Sequence, residues 1–242
     1  MTGLPRSRRS LAMTRQSKVN NTHREKIAAF TLAEVLITLG IIGVVAALTM
    51  PALISNYKKK ELETAFKRNY SIIQQAVGKW EFEKGEKLFN MSRDDISAEL
   101  SSYFNTNCTG YTDCVPNGKV TGLYQSLHGG TAYENFINEG SFRTTDGVNY
   151  YTDDGDLNTA QDGYLFITVD INGAFKKPNR WGYDVFMFEV ISDGKLLPEG
   201  APGTYLYRTS NPLCSLNLTD SKNGQACAYY ALTDKDYWKN LP

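Results

Sequence analysis

Histidine is nearly absent from this chain, with only His23 and His128 among 242 residues. That excludes a multi-histidine metal centre and leaves little scope for imidazole base chemistry. His23 stands in a basic segment, and His128 sits beside Gly129-Gly130 as a loop residue would. No G-x-S-x-G, H-E-x-x-H or Gly-Lys-Ser/Thr phosphate motif occurs. An anchored hydrolase therefore has no supporting constellation, and the chain is read as a non-enzyme. Cysteine is scarce too: Cys108, Cys114, Cys214 and Cys227. Neither close pair has the two-to-four-residue spacing of zinc ligands. Net charge is zero, with 26 Lys+Arg against 26 Asp+Glu. The balance hides an asymmetry. Residues 1–29 hold seven Lys/Arg and one Glu, which leaves 19 basic and 25 acidic residues from 30 onward. An acidic remainder argues against nucleic acid as the main partner.

What is abundant is apolar sequence in one place. Phe30 to Ile54, FTLAEVLITLGIIGVVAALTMPALI, runs 25 residues with a single charge, Glu34. A secretory signal peptide has an apolar core of roughly 7–15 residues with small residues after it. Here the core is longer and the small residues, Ala28-Ala29, come before it. A plain signal anchor explains the length but not the acid. A carboxylate at the middle of a membrane helix costs roughly 2.5–3.5 kcal/mol, so such a residue is a functional-site candidate. Glu34 lies near the start of the run, where a new α-amino group or a neighbouring subunit could neutralise it. Pro51 should kink the helix or free a backbone carbonyl, and Gly40 and Gly43 could loosen it.

These residues resemble the N-terminus of the type IV pilin and type II secretion pseudopilin superfamily. Members carry a short basic leader, a cleavage site before Phe, then T-L-x-E and an apolar helix. The resemblance covers about residues 26–80. It implies cleavage by a prepilin peptidase between Ala29 and Phe30, N-methylation of Phe30, and an assembly role for Glu34, the fifth residue after the cut. The family usually has Gly before the cut, where this chain has Ala29. Pro51 also fits the family pattern. The implied fold is α+β and pilin-like: a long N-terminal helix, half membrane and half amphipathic, packed on an antiparallel sheet. The implied partners are the prepilin peptidase, other pilins or pseudopilins, copies of this chain, an inner-membrane assembly platform and the lipid bilayer. A secretion pseudopilin and a type IV pilus or DNA-uptake pilin both remain open. So does a signal-anchored extracellular binding module that never polymerises.

The organisation along the chain reads as a leader at 1–29, a membrane or filament-core helix at 30–54, its amphipathic continuation at 55–83, and a β-rich extracytoplasmic part at 84–242. The basic flank marks the cytoplasmic side, so residues 55–242 are expected outside the cytoplasm after a single pass; the resemblance implies that the membrane is the bacterial inner membrane. After Lys58-Lys59-Lys60 the apolar residues Leu62, Phe66, Ile73, Val77 and Trp80 recur at helical spacing. One helix is predicted from about Thr31 to Glu83, roughly 80 Å long at 1.5 Å per residue. Arg93 to Phe104 reads as a short helix with Ser92 as N-cap.

Strands are expected at Phe142–Thr145 and Val148–Tyr151 around the turn Asp146-Gly147, then at Tyr164–Asp170 and Tyr183–Ile191. Asp193-Gly194 signals a further turn. The intervening pattern D-x-N-G then P-N-x-x-G-x-D, from Asp170 to Asp184, resembles the sheet of pseudopilins. The tail, from Gly224 through Asp236-Tyr237-Trp238, is expected to add a last strand. In an oxidising compartment the four cysteines form disulfides. Of three connectivities, the local pairs Cys108–Cys114 and Cys214–Cys227 close the shortest loops.

No cofactor is called for. Calcium is the one metal to weigh. Asp154, Asp156 and Asn158 have the first three spacings of an EF-hand loop, but Thr159 and Leu165 break the pattern at positions six and twelve. A second candidate pair is Asp170 and Asp184.

Overall fold

The computed structural model describes residues 30–91, 96–110, 113–154 and 164–241. The chain divides into two compact units, with the boundary between Leu48 and Thr49. Helix α1, Leu32–Lys84, runs through Pro51 without a break. Proline has no N–H to offer the Ala47 carbonyl, yet it ends neither turn around it. Among the described residues, this is the one helix long and apolar enough to cross a membrane. Gly85, at φ +72°, stops it, and its N–H donates to the Glu81 carbonyl at 2.9 Å. That left-handed glycine cap is a common helix terminator.

The fold class is α+β. Among the described residues six strands form one antiparallel sheet in sequence order: β1 (Thr106–Thr109), β2 (Gly140–Thr144), β3 (Asn149–Asp153), β4 (Leu165–Asp170), β5 (Val185–Val190) and β6 (Leu196–Pro198). Every residue of β4 and β5 is buried, because both faces of the sheet are covered. One face receives α1. Phe66, Asn69, Ile73, Ala76, Val77 and Trp80 form its buried stripe and meet Ile167, Val169, Phe186 and Phe188. The Phe66 and Phe186 ring centroids lie 4.4 Å apart. Asn69 is the polar member of this stripe. Its amide donates to the Ala65 carbonyl at 2.8 Å, and its carbonyl oxygen accepts from the Tyr150 hydroxyl. The opposite face carries Tyr151, Phe166, Val185 and Met187 and is covered by loop residues, among them Tyr124, Ile137, Trp181 and Leu213.

The β2–β3 hairpin turns at Asp146-Gly147, as its sequence predicts, with Gly147 at φ +93°. Gly173, in the β4–β5 connection, packs against it. Any side chain there would strike the Gly147 carbonyl.

Three expectations need correction. The tail forms no strand. It forms α3 (Cys227–Thr233) and α4 (Tyr237–Asn240). Cys227, Ala228 and Ala231 make a small-residue helical stripe that packs into the α1 side of the core, followed by Trp238 against Phe66 at 5.5 Å. The helix expected over Arg93–Phe104 is described as α2, Ile96–Ser101, and ends before Phe104; its start, with the proposed cap Ser92, lies outside the described residues. Strand β5 begins at Val185, not Tyr183, since Arg180 to Asp184 form a turn whose carbonyl at Arg180 accepts the Tyr183 and Asp184 N–H groups. The cysteines pair as Cys108–Cys114 and Cys214–Cys227, with Cα separations of 5.7 and 5.0 Å.

Candidate functional site

The start of α1 is built by two residues. Thr31 donates its backbone N–H and its hydroxyl to Glu34 Oε2, both at 2.8 Å, and Thr31 Oγ1 accepts the Glu34 N–H at 3.2 Å. This is a reciprocal capping box, in which side chains satisfy N–H groups that the first turn leaves without partners. The Glu34 carboxylate, read from sequence as uncompensated, thus has local donors. The helix dipole favours a negative charge at this end. The T-x-x-E spacing is itself a cap signal.

Around this polar cap the surface is apolar. Phe30 is 86% exposed, and Leu32, Leu36, Ile37, Leu39, Ile41, Ile42 and Val44 are each more than half exposed. At Gly40 and Gly43 an added Cβ would meet nothing within 4 Å. So among the described residues nothing crowds these two glycines, and the large apolar side chains around them stay exposed. Ala29, on the other side of the expected cut, lies outside the described residues.

Of the calcium candidates, Asp154, Asp170 and Asp184 are described. Asp156 and Asn158 lie outside the described residues. Asp154 lines a cleft of about 480 Å³ with Glu139, Asp153, Ser97 and Thr152, and its N–H donates to Glu139 Oε2 at 3.2 Å. Asp170 and Asp184 belong to a different place, the β4–β5 connection. Asp170 accepts the Gly173 N–H at 2.9 Å and the Tyr124 hydroxyl at 3.0 Å. Asp184 accepts from Arg180 N at 2.6 Å, Asn179 N at 3.0 Å and the Asn172 amide at 3.1 Å. Both acids staple the turn between them. Burial and then the neighbouring Asp184 push Asp170 far above the ordinary carboxylate range. Burial pushes Asp184 up to about 6, against the pull of its N–H donors. Among the described residues no three His, Cys, Asp or Glu side chains are grouped to hold a metal. His128 is exposed, and its Nδ1 lies 3.0 Å from the Leu216 carbonyl.

One acidic pair escaped sequence reading. Glu189, inside the aromatic strand β5, accepts the Tyr205 N–H at 2.7 Å, and Glu199 accepts the Leu206 N–H at 2.6 Å. Together they hold the loop after β6 against the sheet. Burial, reinforced by Glu189, raises Glu199 to about 8. An acid at an interior position of a strand was the available signal.

Comparison of the chain with protein-family models, curated proteins and solved structures gives no match to any of them.

Proposed function

We propose that this chain is a prepilin-type subunit, made with a basic leader, cut before Phe30 and assembled into a filament through the apolar part of α1. The observation that carries the reading is the one charged residue in that surface. Glu34 lies four residues after Phe30, on a helix whose Leu32, Leu36, Ile37, Leu39, Ile41 and Ile42 side chains are exposed. The subunit waits in the inner membrane with the leader on the cytoplasmic side and the sheet unit outside. On assembly the exposed apolar residues exchange lipid contacts for contacts with one another, which keeps them out of water, where each Å² of apolar area would cost roughly 25 cal/mol. Glu34 then pairs with the α-amino group of Phe30 in a neighbouring copy. In that setting a lone charge is costly and a paired one fixes register. The peptidase, sister subunits and assembly platform follow as partners. No step calls for enzyme chemistry. The Asp170–Asp184 turn pattern favours a secretion pseudopilin over a pilus or DNA-uptake pilin.

The test is a pair of substitutions. Glu34→Ala removes both cap and charge, whereas Glu34→Gln keeps a cap acceptor and removes only the charge. Both are expected to insert normally and to lose filaments. Wild-type filament yield from Glu34→Gln would reject the charge-pairing mechanism.

A further inference from the structure

A groove runs beside α1 just past the end of the apolar run. Its lining includes Lys58, Arg68, Lys176, Lys177, Glu61 and Asp146, in a volume of about 420 Å³. Four of these six charges are positive, in a chain whose residues from 30 onward are acidic on balance. Arg68 is already paired with Asp146 at 3.0 Å. Lys58, Lys176 and Lys177 are exposed and form no ion pair among the described residues. Two separate segments thus converge to hold three uncommitted cations, the first from α1 and the others from the β4–β5 connection.

The position of the groove along the helix selects the occupant. Lys58 follows Ile54 by four residues, a rise of about 6 Å. A headgroup layer extends about 5–8 Å beyond the hydrocarbon on each side of a bilayer. Tyr57, 71% exposed, stands between the last apolar residue and the first lysine, the place where tyrosines anchor spans at the interface. We infer that this groove binds the phosphate of an anionic phospholipid in the outer leaflet of the inner membrane. The inference rests on the membrane reading of residues 30–54. Lipid held there would fix the depth and rotation of the waiting subunit, and leaving it would be part of entering a filament.

The experiment is native mass spectrometry of the full chain in detergent micelles, with phosphatidylglycerol or phosphatidylcholine added. The comparison is wild type against Lys58→Gln/Lys176→Gln/Lys177→Gln, which alters only exposed side chains. Each cation near a membrane surface is worth about fivefold in binding. The triple variant should therefore lose phosphatidylglycerol adducts by about a hundredfold and leave the weak phosphatidylcholine adducts unchanged. Equal phosphatidylglycerol adducts in both proteins would overturn the inference. So would displacement of the lipid by inorganic phosphate, or lysine-dependent self-association without lipid preference. Alkaline extraction from pure phosphatidylcholine vesicles separates the two readings. A chain that resists extraction but shows no lipid preference refutes the groove alone. A chain that is extracted refutes the membrane span and the groove with it.

Discussion

The two halves of α1 obey opposite rules. From Ser55 to Lys84 most apolar residues form one stripe that joins the core, with Leu62, Ala65 and Tyr70 packed at its margin, while Tyr57 and Phe82 stay exposed. From Leu32 to Ile54 apolar residues point in every direction, and the most hydrophobic window has none of its residues buried. A one-sided stripe is the mark of a helix packed on something. An all-round apolar surface left open among the described residues marks an interaction site; under the proposed function a bilayer and then sister subunits cover it. Among the described residues only the second half of the helix joins the core.

Mutations can break this comparison. Phe66→Ala or Trp80→Ala should lower the unfolding free energy of the sheet unit by about 3–5 kcal/mol, since both side chains are fully enclosed. Chemical denaturation of the full chain in detergent, followed by tryptophan fluorescence for Phe66→Ala and by circular dichroism for Trp80→Ala, measures it. Removing Cys214–Cys227, whose 13-residue separation staples the tail helices, should cost about 3 kcal/mol. The six-residue Cys108–Cys114 loop should cost about 2 kcal/mol in the same titration.

A smaller effect sharpens the account of the sheet side. Glu199 is raised to about 8 from an ordinary 4.5, so the folded state holds a proton that the unfolded chain releases. Its contribution is fully present below about pH 4.5 and is lost as pH rises through 8. Melting temperature should fall across that window, and Glu199→Gln should flatten the slope. An unchanged slope would mean that the pair with Glu189 is not the source. The smallest effect belongs to the other half of the helix. Ile42→Ala should leave the unfolding of the sheet unit within about 0.5 kcal/mol of wild type, though its side chain is as apolar as any in the core.

Much of this architecture was legible because strong periodicity survives any tertiary context. The long helix, its change of character after Lys60, the Asp146-Gly147 hairpin and strands β4 and β5 all follow from spacing. Edge elements did not. Strand β1 is four residues of polar sequence with a register shift between Thr106 and Cys108, and β6 is three residues ending in proline. Neither is long enough to show a period. The tail misled because Tyr229-Tyr230 favours strands locally, whereas the spacing of Cys227, Ala228 and Ala231 lets a helix pack close. At the candidate site, Phe30 and Glu34 were legible as residues. The Thr31 cap was written in T-x-x-E but overshadowed by the charge. The buried carboxyls at Glu189 and Glu199 depend on partners sixteen and seven residues away, a pairing that no local pattern encodes.

The most direct measurement is the mass of the N-terminal peptide from cells making this chain with and without a prepilin peptidase. The account predicts a chain that starts at Phe30 with one added methyl group, and only when the peptidase is present. A chain that keeps residues 1–29 in both strains would contradict it and leave a plain membrane-anchored protein.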